Sequence, residues 1–173
     1  MITFERIVVV AGAVVAFLLQ VLVAPHIAIG YGVPNIVAVF CIVVSLVQPN
    51  IFKYVLPFVM GLVYDLLSGG PIGAMAFSLT ASSAVVIWFF QRSNNDTLFM
   101  GMAAMLIGVF LVEFLHGIFI LASGFSANLI DAFVYRMLPC FLYDAVLGAI
   151  LYPIALRFLS SQAPLRSEIT QLH

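Results

Sequence analysis

Charge is what this sequence has least of. Of 173 residues 8% are charged, six Lys or Arg against seven Asp or Glu, for a net charge of −1. Nucleic-acid binding draws on concentrated Lys and Arg, so that class is excluded. Cysteine is nearly absent too. Cys41 and Cys140 both lie in apolar segments, where each reads as a small buried hydrophobe and neither a disulfide framework nor a thiolate metal site is indicated. Also missing are a nucleophile triad, a phosphate-cradling glycine loop and a zinc-protease helix signature. No polar segment is large enough to fold as a catalytic domain. What remains is 65% hydrophobic, against roughly 45–50% for soluble domains. Lipid must be the main solvent for such a chain, and an all-α integral membrane protein is expected.

The apolar runs divide into six predicted spans of one polytopic domain over 1–173: about 7–24, 33–47, 51–67, 72–90, 98–122 and 137–159. The first is broken only by Gln20, exceeds the usual signal-peptide core of about 7–15 residues, and is followed by Pro25 where a cleaved bond would lie, so it reads as a retained helix. Pro34 is placed in the first turn of the second span, where its missing N–H costs nothing. Pro57 is placed inside the third span, where it is expected to bend the helix. The fourth span has a small-residue face, Gly73, Ala76, Thr80 and Ser83 or Ala84, suited to close helix approach or to lining a ligand cavity. Ala104 and Gly108 form a second small pair in the fifth span, and Trp88 suits an interfacial belt. Gln91–Thr97 is the most polar internal stretch. Its Asn95-Asp96-Thr97 triplet matches a glycosylation acceptor, a pattern frequent by chance. With the N-terminus inside, Arg6, Lys53, Arg92, Arg157 and Arg166 fall on cytoplasmic ends and only Arg136 falls outside. That asymmetry predicts a compact six-helix bundle with both termini cytoplasmic.

Asp65, Glu113, His116 and Asp144 lie inside predicted spans, and intramembrane ionisable groups are functional candidates by default. Glu113 and His116, three residues apart, share a helix face like half of a carboxylate-bridged metal site. There is no second Glu-x-x-His, and no metal, cofactor or catalytic residue is assigned. A proton relay needs a polar path across the bilayer, to which the first two spans contribute little. Internal hydrogen bonding, or a position facing the outer interface, is the simpler reading of the pair. Gly61, Asp65 and Ser68 fall at i, i+4 and i+7 on one stripe. Asp65 is expected to accept hydrogen bonds from the 68–71 turn, because a buried polar group needs a local partner.

These residues carry a family resemblance. Pro34-Asn35 at the start of the second span, and Gly61-Leu62-Val63-Tyr64-Asp65-Leu66-Leu67-Ser68-Gly69 running into Pro71-Ile72-Gly73, make the chain resemble the rod shape-determining protein MreD family of bacteria. The six-span layout extends the likeness over nearly the full chain, the second half by hydropathy alone. Glu113-x-x-His116 is not an expected family feature. The resemblance implies a non-catalytic, multi-pass subunit of the elongation complex in the cytoplasmic (inner) membrane. It implies binding to MreC and a link from MreB filaments to peptidoglycan synthesis by RodA and a class B penicillin-binding transpeptidase. Pro34, Asn35, Gly61, Asp65, Ser68, Gly73, Glu113, His116 and Asp144 are the structural or partner-binding candidates. The alternative is a small-molecule-binding subunit of an energy-coupling-factor type vitamin transporter, also a small six-span bundle, with the fourth span and Glu113 or Asp144 lining the pocket.

Overall fold

The structure is a computed structural model, and it describes residues 4–28, 32–49, 53–92, 98–124, 130 and 133–159. Six α-helices carry the fold among them: α1 Phe4–Leu22, α2 Ile36–Val47, α3 Val55–Ser68, α4 Ala74–Arg92, α5 Leu98–Ala122 and α6 Leu138–Leu159. A short 3-10 helix, Ala24–Ile27, follows α1, and a π-helical turn, Phe133–Met137, leads into α6. The triplet Asn95-Asp96-Thr97, most of the loop before Phe133, and the tail from Ser160 lie outside the described residues.

Among the described residues, only α4, α5 and the continuous segment Phe133–Phe158 are long and apolar enough to cross a membrane by themselves. The others are shorter apolar helices. Helix α2 has 12 residues and so rises about 18 Å, against a hydrocarbon core of about 30 Å. Its position explains why so short a helix is stable. Val37 to Leu46 is buried apart from Phe40, because α2 is surrounded by every other helix and packs chiefly on α6, α4 and α1. One core draws on all six helices, with Ala13, Ile42, Met60, Leu79, Met105 and Tyr152 each contributing from a different one. The apolar residues left outside, such as Val14 and Leu18 on α1 and Val146 and Ile150 on α6, form a surface suited to lipid or to other helices.

Three sequence expectations change here. Helix α2 starts at Ile36 with Asn35 as its N-cap, so Pro34 precedes the helix rather than opening it. Helix α3 starts at Val55, which puts Pro57 in the first turn, where an N–H has no intrahelical partner anyway. No kink is required. Ser68 is exposed at the end of α3, so the buried stripe there consists of Gly61 and Asp65. That stripe faces α4. A Cβ at Gly61 would lie 2.6 Å from Ala76 N and 2.8 Å from Met75 C, so only glycine lets the two backbones approach. The α3–α4 turn needs glycine for a different reason, with φ of 66° at Gly69 and 96° at Gly73.

Candidate functional site

The buried carboxyl and carboxamide side chains gather toward one end of the bundle, where α2, α4 and α6 begin and α1, α3 and α5 finish, whereas the buried serines Ser45, Ser82 and Ser83 lie farther along α2 and α4. Helix N-termini leave backbone N–H groups without partners, and in an apolar medium each costs several kcal/mol if unsatisfied. At α2 side chains meet the whole requirement. Asn35 Oδ1 accepts from Ala38 N at 3.1 Å. Gln20, the one polar break in α1, accepts on Oε1 from Ile36 N at 2.7 Å and Val37 N at 3.4 Å, and its Nε2 donates to Pro34 O at 3.1 Å. The Asn35 N–H donates to Asp144 Oδ1 of α6 at 2.6 Å. Asn35 Nδ2 donates to Glu113 Oε1 of α5 at 3.1 Å. Side chains of α1, α5 and α6 thus converge on a single helix start.

The start of α4 is held in the same way by one residue. Asp65, buried in the last turns of α3, accepts from Gly73 N at 2.9 Å, Met75 N at 3.0 Å and Ala76 N at 3.2 Å. Its partners therefore lie beyond the 68–71 turn, in the first turn of the next helix. The Ser68 hydroxyl donates to the Asp65 backbone carbonyl at 3.4 Å. Asp144 at the start of α2 and Asp65 at the start of α4 each face the N-terminal end of a neighbouring helix, which carries about half a positive charge. The end is tied once more by Tyr143, whose hydroxyl donates to Ile27 O at 2.9 Å.

Between the two joints lies a cavity of about 280 Å³ bordered by Asn35, Tyr64, Glu113, His116, Arg136 and Cys140. Tyr64 meets His116 edge-on, with ring centroids 6.2 Å apart. Arg136 comes from the π-helical turn and is exposed. Asn35, Glu113 and Asp144 are brought together, with His116 on the same cavity. Gly61, Asp65 and Gly73 belong to the neighbouring α3–α4 joint, and Pro34 to the α1–α2 joint. Among the described residues no hydrogen bond joins Glu113 to His116, or His116 to Cys140, and no group of three or more His, Cys, Asp or Glu is arranged to hold a metal. The arrangement fastens helix ends and leaves a polar cavity; it does not set a nucleophile against a base.

Sequence reasoning did not find Gln20, Tyr64, Arg136 or Cys140. For Gln20 the signal was present: a lone carboxamide in an apolar run, shortly before Pro34-Asn35. Arg136 and Cys140 reach the cavity through tertiary packing that no local pattern announces.

No curated protein and no solved structure matches the chain significantly. The family model described as rod shape-determining protein MreD matches residues 2–162, nearly the whole chain. This span includes both Pro34-Asn35 and the Gly61–Gly73 hairpin, whose side chains build the two joints. The chain belongs to the rod shape-determining MreD family and is a membrane protein.

Proposed function

We propose that the chain is a non-catalytic subunit of the bacterial elongation (rod) complex. In this reading it binds MreC and helps couple the MreB cytoskeleton to peptidoglycan synthesis by RodA and a class B penicillin-binding transpeptidase. The observation that carries it is the family match over residues 2–162. The physical reading is consistent with it. Asn35, Asp65 and Gln20 are occupied in holding helix starts, and the exposed apolar faces of α1, α3, α4, α5 and α6 are surfaces available to lipid and to other membrane helices. Recovery of MreC with the tagged chain from solubilised membranes tests the binding.

The membrane arrangement proposed with it is six crossings of the cytoplasmic membrane, with both termini cytoplasmic. Short helices are compatible with six crossings because α2 is enclosed by protein, so its capped N-terminus can sit at membrane depth without meeting lipid. The basic residues supply the orientation. Arg6, Lys53, Arg92, Arg157 and Arg166 fall on one side and Arg136 on the other. A reporter active only outside the cytoplasmic membrane, fused after His173, is expected to be silent, and the same reporter in the 125–129 loop active. A signal from the His173 fusion contradicts the arrangement.

A further inference from the structure

The cavity between the two joints is lined by one carboxyl group, Glu113, with a second, Asp144, buried beside it. Glu113 lines it with 9% of its surface exposed. Asp144, with 0% exposed, adjoins Glu113 closely enough for the two to interact electrostatically, and Asn35 bridges them. Among the described residues Asp144 Oδ2 meets no N–H donor, and the two carboxyl groups are close enough to share a hydrogen bond. A buried carboxyl pair that faces a cavity through Glu113 calls for a positive, hydrogen-bonding group. Arg136 acts on Glu113 electrostatically but is exposed, at the rim. The cavity is therefore acidic within and basic at its mouth.

Size and surroundings narrow the ligand. A volume of about 280 Å³ is roughly nine times the ~30 Å³ share of a liquid water, too large for one ion or water to fill. A calcium or magnesium ion needs about six or more oxygens, and the described residues offer no group of three or more His, Cys, Asp or Glu to hold a metal. An anion alone would suit Arg136 and be repelled by Glu113. Beside Arg136 the neighbouring side chains are Val134, Tyr135 and Leu138, all exposed. An aromatic residue and an arginine flanked by apolar groups are what a protein presents at the headgroup level of a bilayer. We propose that this cavity binds the headgroup of a zwitterionic phospholipid bearing a primary amine, phosphatidylethanolamine. The ammonium donates to Glu113, the phosphate accepts from Arg136, and the acyl chains run along Val134 and Leu138. This goes beyond the subunit role above and does not depend on it.

The test uses the purified full chain in detergent, with native mass spectrometry and thermal unfolding. Phosphatidylethanolamine is expected to remain bound at one per chain and to raise the melting temperature. Phosphatidylglycerol, without the amine, and phosphatidylcholine, without its N–H donors, are expected to bind about tenfold more weakly. R136Q changes an exposed residue and leaves the core intact; it and E113Q are expected to lose the lipid adduct, while R157Q at the opposite end of α6 retains it. Equal retention of all three lipids, or an R136Q protein that binds like the wild type, would overturn the proposal. Protection by soluble phosphoethanolamine with none from the lipid overturns the lipid source. So does cross-linking that finds a basic segment of another protein seated in the cavity.

Discussion

Replacing Asp65 with alanine will remove most of the folded protein from a membrane preparation. The carboxylate accepts from three backbone N–H groups at the start of α4, and none of these has an intrahelical acceptor. A buried donor left unpaired costs about 1–3 kcal/mol, so for three donors the loss is roughly 3–9 kcal/mol, a large part of the 5–15 kcal/mol typical of a folded domain. D65N keeps one acceptor oxygen and is expected to fall between wild type and D65A. Fluorescence-detected size-exclusion chromatography of a tagged chain, with melting in detergent, reads both. Wild-type yield and melting for D65A would mean that the α3–α4 joint is held by something else.

Gly61→Leu is expected to be comparably disruptive through sterics alone. The glycine faces backbone, Ala76 N at 2.6 Å and Met75 C at 2.8 Å from a would-be Cβ, and backbone cannot swing aside as a side chain tip does. Overpacking costs about 1–3 kcal/mol where neighbours relax; here relaxation means moving α4 off α3, which also lengthens the Asp65 bonds. The control is Gly70→Ala, whose Cβ meets only Ser68 Oγ at 3.6 Å. The same melting assay should show G61L aggregated or far less stable and G70A unchanged. A stable, monodisperse G61L would show that the two backbones are not in close contact.

Much of the architecture was legible because lipid simplifies the sequence. Segments longer than the bilayer is thick announce themselves, and the α5 limits, Leu98–Ala122, follow directly from the apolar run. The starts of α2 and α3 were not legible from hydropathy, since Val33 and Ile51 are as apolar as helix residues; the cap at Asn35 and the turn before Val55 decide them. Asp65 was readable as a buried acceptor, yet its partners are Gly73, Met75 and Ala76 rather than the 68–71 turn, because the N–H groups without a helical acceptor belong to the start of α4. The Asn35–Asp144 and Asn35–Glu113 bonds join residues 109 and 78 positions apart. No local pattern encodes such pairs. The intramembrane carboxyls were visible one by one, and only the fold shows that Glu113 and Asp144 meet on Asn35 while Asp65 serves another helix.

The two joints have a common logic. Each central helix, α2 or α4, begins inside the polar end and is held there by side chains from its neighbours rather than by water. That holds the bundle as a unit and leaves the outer apolar faces of the helices around α2 for lipid and for partner helices, as a subunit that acts by contact requires.

The measurement closest to that claim is a pull-down of the tagged chain from detergent-solubilised native membranes, with mass spectrometry of bound proteins and small molecules. Co-purification of MreC with wall-synthesis enzymes is the predicted result. Recovery of a membrane ATPase pair with a bound vitamin-like compound, and no MreC, would contradict it and make the cavity of Glu113 and His116 a substrate site.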